Sequence, residues 1–250
     1  MLIDTHAHVN FNAYRLDADK VIKKALKNNV WLINVGAGFE SSRKAIEIAE
    51  KYSKGVYATV GLHPIHAEEN FCIVDYKDFT KSEKVIAIGE IGLDYKSEYV
   101  SFKEHQKQVF LEQLNLAKEL NLPIIFHCRF AHQDLIEILK LQVLNFKPQG
   151  VVHCFAGNWK EAEKYLDMGL YLGFNGIIFK LNLDEIIRKT PLGKILIETD
   201  CPYLTPPQES GRNEPLHVKY VAEKIAEIKN ISYKEVVTIT TQNAKDLFKI

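Results

Sequence analysis

Short apolar runs recur along this chain at a spacing that few folds can satisfy. They cover residues 2–6, 30–35, 56–62, 85–89, 123–127, 150–154, 170–174 and 195–198. Several are continuously apolar and not alternating, the pattern of parallel strands covered on both faces. Between them lie stretches of helical period. The clearest is 102–120, where Val109, Phe110, Leu114, Ala117 and Leu120 fall on one face and Asn121-Leu122-Pro123 ends the pattern. Similar stretches cover 17–27, 41–52, 131–141, 158–168 and 183–189. Two more, 214–228 and 232–248, follow the eighth run, the second opening on a Ser232/Glu235 capping box. Eight alternating units predict an α/β fold, one (β/α)8 TIM barrel with an extra C-terminal helix, filling residues 1–250 as one domain. The competing layout is an open doubly wound sheet. No Gly-x-Gly-x-x-Gly opens a helix, which weighs against its dinucleotide-binding form.

In a barrel the reactive residues stand at the C-terminal ends of the strands. The polar residues that end the apolar runs are chemically uniform: His6 and His8, Glu90, His127, His153 and Asp200. All are metal-ligand types, and a strand period of two sends His6 and His8 to one face. Any one of them alone reads as a hydrogen-bonded core histidine or a paired carboxylate; six together at strand ends do not. Four imidazoles and two carboxylates exceed the needs of one tetrahedral ion, so two ions fit better. First and eighth strands are neighbours in a closed barrel. The expected division therefore gives His6, His8 and Asp200 to one ion and His127 and His153 to the other, with Glu90 bridging. Imidazole softness favours zinc, manganese, cobalt or nickel over magnesium.

Charge and cysteine usage narrow the function classes. Lys plus Arg and Asp plus Glu each number 32, so affinity for nucleic acid cannot come from overall positive charge, although a local cleft can still attract phosphate. Cys72, Cys128, Cys154 and Cys201 form no Cys-x-x-Cys pair, and the last three follow proposed ligands on the opposite strand face, in packing. The chain opens directly on Leu2-Ile3 with no basic and apolar leader, and it has no long apolar span. The expectation is a cytoplasmic protein with no membrane contact, a monomer without an obligate protein partner. Two divalent ions opposed by Glu90, Asp200 and a hydroxide leave a cationic site suited to an anionic group such as a phosphodiester.

Seven blocks run in order: Asp4-Thr5-His6-Ala7-His8, Gly61-Leu62-His63-Pro64, Ile88-Gly89-Glu90-Ile91-Gly92-Leu93-Asp94-Tyr95, His127-Cys128-Arg129, His153-Cys154-Phe155-Ala156-Gly157, Glu198-Thr199-Asp200-Cys201-Pro202-Tyr203-Leu204 and Arg212-Asn213-Glu214-Pro215. Together they resemble the signature of the TatD family of metal-dependent hydrolases, across almost the whole chain. The resemblance implies a TIM barrel with divalent metals and deoxyribonuclease activity, and metal roles for His6, His8, Glu90, His127, His153 and Asp200. The chain departs from it at Phe130, where many relatives carry Asp, at Ala156 and at Cys201, and none of these is a proposed ligand.

The expected chemistry is hydrolysis of DNA, 3′ to 5′, on single strands or frayed ends. A metal-held hydroxide attacks phosphorus, Asp200 orients or deprotonates the water and Glu90 keeps the ions at their separation. Substrate contacts are assigned to His63, Arg129, Asn175 and Arg212. Each has a structural counterpart: a turn histidine, a salt bridge behind the sheet, a loop residue after the seventh strand, and a helix start capped by Asn213 with Pro215 in its first turn. Asp94 and Tyr95 either order the loop over the site or serve packing alone. Two other functions remain open, a hydrolase of a small amide, lactone or phosphoester, and a metal-binding protein without catalysis.

Overall fold

A computed structural model of the chain describes residues 1–69, 71–143 and 147–250. Eight parallel strands follow one another around a single sheet in chain order: β1 (Leu2–Ala7), β2 (Val30–Val35), β3 (Val56–Val60), β4 (Val85–Asp94), β5 (Ile124–Arg129), β6 (Gly150–Val152), β7 (Tyr171–Phe174) and β8 (Ile195–Ile197). The helices between them are α1 (Ala18–Lys27), α2 (Phe39–Ala49), α3 (Ile73–Phe79), α4 (Lys103–Leu120), α5 (His132–Val143), α6 (Trp159–Asp167) and α7 (Asp184–Lys189); α8 (Val218–Lys229) and α9 (Tyr233–Phe248) follow β8. The architecture is the expected TIM barrel, and α9 is the extra C-terminal helix.

The cylinder closes where β1 meets the segment after β8. Asp200 N–H donates to the His6 carbonyl at 2.8 Å, and His8 N–H to the Cys201 carbonyl at 2.8 Å. Thr5 Oγ1 donates to the Ile197 carbonyl at 3.1 Å. The Asp4 carboxylate accepts from Thr199 N–H at 2.8 Å and from Thr199 Oγ1 at 2.6 Å. Closure and candidate site therefore share residues, and a slip of the seam would displace His6, His8 and Asp200 together.

Two apolar layers follow from the pleat. Side chains pointing outward pack under the helices, whereas Ile3, Ile33, Val35, Ile86, Ile125, Val151 and Leu196 fill the interior. That inner layer is continued by Ala244, Leu247 and Phe248, so the end of α9 packs onto the barrel interior. Helix starts are capped as the residue types direct: Asn158 and Glu161 form a reciprocal capping box on α6, and Ser232 accepts from Glu235 N–H at 3.1 Å on α9.

Two expectations need correction. The apolar run at 85–89 stops short of the true strand: β4 continues through Glu90 to Asp94, all of it buried, with Gly92 opposite His127 and Asp94 opposite Arg129. Asp94 is thus the last residue of the strand. Helix α3 escapes the periodicity altogether, because seven residues give too few turns for a pattern to appear.

Phe248 is 2% exposed at the foot of the barrel, remote in sequence from every proposed ligand. Phe248→Ala is expected to lower stability by about 3 kcal/mol, read from denaturant unfolding, while metal stoichiometry is retained.

Candidate metal centre

All six residues that end the apolar runs converge inside the upper rim of the barrel. Glu90, 3% exposed, is the hub. Its Oε2 lies 3.4 Å from His6 Nε2 and 3.8 Å from His8 Nε2. Its Oε1 lies 2.6 Å from His127 Nδ1, 2.7 Å from His153 Nε2 and 3.5 Å from His63 Nε2. One carboxylate thus turns its two oxygens toward two separate sets of imidazoles. On the Oε2 side, His6 and His8 Nε2 are 3.1 Å apart, and Asp200 Oδ1 lies 3.9 Å and 3.5 Å from them.

These spacings suit a cation. Two nitrogens each about 2.1 Å from one tetrahedral ion stand about 3.4 Å apart. Three groups of potential ligand atoms gather within 4.8 Å of one another: His6, His8 and Asp200; His6, Glu90 and His153; and His63, Glu90 and His127. The first is the expected set. In the other half, His127 and His153 both approach Glu90 Oε1, and His63 stands with His127 while His153 also stands with His6. His63, assigned from sequence to substrate alone, is therefore a member of the cluster.

Contacts behind the imidazoles select which nitrogen faces inward. His8 Nδ1 donates to the Val35 carbonyl at 2.9 Å, leaving Nε2 as a lone pair toward the cluster. His153 Nδ1 lies 3.3 Å from Glu198 Oε1, and His127 Nε2 lies 3.0 Å from Asp94 Oδ2. In both, a carboxylate holds the outer N–H and the inner nitrogen turns to Glu90. His63 is the reverse. Its Nδ1 accepts from Ile65 N–H at 3.2 Å, so its inner Nε2 carries the proton and acts as a donor. His6 Nδ1 is buried without a hydrogen-bond partner.

Electrostatics agree. Burial by itself would raise the Glu90 carboxyl, but His153, His63, His6 and His127 outweigh it and hold the group well below the carboxylate range. Burial also opposes protonation of His153 and His127; Glu90 with Glu198 in the first case, and Glu90 with Asp94 in the second, overcome it and raise both. Burial, and then the His127 charge, push His63 down to about 4, so it is a neutral donor near neutrality. Asp200 stays ionised because His8 and His153 outweigh its desolvation.

The remaining candidates divide. Arg129, at the end of β5, is exposed. Asn175 is fully buried; its side chain accepts from Ile177 N–H at 3.0 Å and donates to Glu198 Oε1 at 3.1 Å. Arg212 forks onto Asp17 at 2.9 and 2.7 Å, donates to the Ala13 carbonyl and stacks on Tyr14 at 4.0 Å, pinning the β1–α1 loop to the segment after β8. As placed, neither Asn175 nor Arg212 presents a free group to the opening. Sequence reasoning passed over Glu198 and Asp4. For Glu198 the available signal was strand period, since it stands two residues before a proposed ligand; for Asp4 the register shift between Asp4 and Ala7 breaks that period. The thiols of Cys128, Cys154 and Cys201 are pushed up to about 12 by burial and are inert.

With the geometry described, comparison with known proteins is decisive: the family model "TatD related DNase" matches residues 3–249. The chain belongs to the TatD family. Among its TatD relatives, the Bacillus subtilis protein named "Uncharacterized metal-dependent hydrolase YabD" is 43% identical over the whole of both chains. The Shigella flexneri "3'-5' ssDNA/RNA exonuclease TatD" is 32% identical over 100% of this chain and 99% of its own. The crystal structure of YJJV, a TatD homologue from Escherichia coli, superposes with a TM-score of 0.91 at 30% identity, covering 100% of this chain and 98% of that one.

A TatD chain with raised His127 and His153 must shed protons when a cation enters. Zinc titrated calorimetrically at about pH 7, in buffers of differing ionisation enthalpy, is expected to release protons, more of them as the pH is lowered by about one unit. Zero release across that range would contradict the arrangement.

Proposed function

We propose that this TatD protein is a divalent-metal-dependent hydrolase that cleaves phosphodiester bonds of nucleic acid, foremost DNA, acting 3′ to 5′ on single-stranded or frayed ends. One observation carries the two-ion part of this reading: the two oxygens of buried Glu90 face different imidazole sets. His6, His8 and Asp200 would hold one ion, His127 and His153 the other, with Glu90 between them. The relatives named as 3′–5′ exonucleases support the substrate and direction.

Divalent ions in such a site supply Lewis acidity toward a phosphoryl oxygen and lower the pKa of water. The chain's own residues do the rest. Asp200, ionised and with 16% of its side chain exposed, accepts the proton of the attacking water. His63 Nε2–H, neutral and fixed by Ile65, donates to a non-bridging phosphate oxygen without adding a titratable charge. Arg129, exposed just beyond His127, meets the strand's next phosphate in forked geometry. The surrounding barrel wall is apolar and keeps these dipoles in a low dielectric, where they are worth more than in water. No described helix is long and apolar enough to cross a membrane.

The test uses metal-loaded protein and a 5′-labelled single-stranded oligonucleotide. Stepwise shortening from the 3′ end is expected, abolished by chelation and restored by manganese or zinc. Glu90→Gln should cost about a thousandfold or more in rate, and Asp200→Asn about a hundredfold to ten-thousandfold, both with folded protein. Cleavage that survives either substitution would sink the mechanism.

A further inference from the structure

Among the described residues, eight other than glycine hold positive φ, and they form two groups. Asn29, Asn121, Asn230 and Lys249 end helices α1, α4, α8 and α9, where a left-handed residue is the ordinary way to stop. Phe130, Cys154, Asp200 and Leu204 lie instead beyond the C-terminal ends of β5, β6 and β8, around the metal centre.

Phe130 is the one of these that the fold explains least. A φ of 56° is harder on a bulky side chain than on Asn or Gly, either of which would make the same turn. Burial does not compensate, because the ring is 75% exposed. Its described partner is the Arg129 guanidinium, 5.8 Å from the ring centre, and Arg129 has no carboxylate partner among the described residues. Backbone strain that packing does not reward points to use.

Location says which use. Phe130 stands three residues beyond His127, whose ring bonds Glu90 at 2.6 Å. Past a different strand, Tyr203 stands three residues beyond Asp200, is tied to it by an N–H to carbonyl bond of 3.0 Å, and is 56% exposed. Two exposed aromatic side chains from different strand ends thus each stand three residues past a member of the cluster, and Arg129, without a carboxylate partner among the described residues, adjoins one of them.

We infer that Phe130 is a base-stacking residue of the substrate strand: its ring takes the face of a nucleobase, Arg129 the adjoining phosphate, and Tyr203 borders the opposite side. This rests on the nucleic-acid reading above. Every base offers a π-face, so such a contact is indifferent to sequence. It does require an unstacked base, which single strands and frayed ends supply and an intact duplex does not.

The experiment compares two single-stranded oligonucleotides with manganese-loaded enzyme, one ordinary and one with abasic 3′-terminal nucleotides. For Phe130→Asn, the ratio of kcat/KM on the base-bearing over the abasic strand should fall about tenfold, through KM and not kcat. Its Tm should be no lower than that of the wild type, since Asn suits the left-handed backbone. Phe130→Trp should restore the ratio. A folded Phe130→Asn enzyme with an unchanged ratio, or one impaired equally on both strands, overturns the stacking role alone. Wild-type protein that leaves both oligonucleotides uncut overturns the nuclease reading and this inference with it.

Discussion

Taking a carboxylate out of water costs several kcal/mol unless positive charge or hydrogen bonds replace its hydration. Glu90 meets that demand with imidazoles from separate strands: His6 and His8 from the first, His63 beyond the third, His127 from the fifth and His153 beyond the sixth. None of these residues is near another in sequence except His6 and His8. Only a barrel in which the strands follow in order and then close brings them to one carboxylate. The requirement that Glu90 stay ionised is therefore also a requirement on the fold.

Closure depends on the same residues. The bonds joining Asp200 to the His6 carbonyl and His8 to the Cys201 carbonyl hold β1 against the chain after β8, and they set the first donor group at the same time. Behind this ring stands a second one. Val35, Glu198 and Asp94 take the outer N–H groups of His8, His153 and His127, and Asn175 in turn holds Glu198. Ile65 does the opposite to His63, turning a potential ligand into a hydrogen-bond donor. Chemically similar residues are thus given different work by a single group behind each ring, a backbone carbonyl or N–H for His8 and His63 and a carboxylate for His153 and His127.

Much of this was legible in the sequence, for identifiable reasons. Apolar runs reveal buried parallel strands because both faces of such strands are covered, and polar residues that end those runs stand out against them; hence the barrel and the six convergent residues. What escaped depended on information that composition does not carry. Glycine and glutamate interrupt the apolar pattern at 89–90, although β4 continues beyond them, so the bond from Asp94 to His127 was not foreseen. Glu198 looked like the end of a strand because the partner that makes it matter, His153, is 45 residues away. Strand order placed His127 and His153 together but did not reveal that His63 also reaches Glu90 Oε1. Asn175 and Arg212 occupy loops where barrel enzymes often bind substrate, yet local hydrogen bonds consume their polar groups.

The central claim is that Glu90 divides two cation sites between its two oxygens. Anomalous diffraction from crystals grown with manganese or zinc measures this directly. The account predicts two peaks on either side of the Glu90 carboxylate, one within ligand distance of His6, His8 and Asp200 and the other on the side of His127 and His153. A single peak, or a pair that leaves Glu90 unliganded, would contradict it.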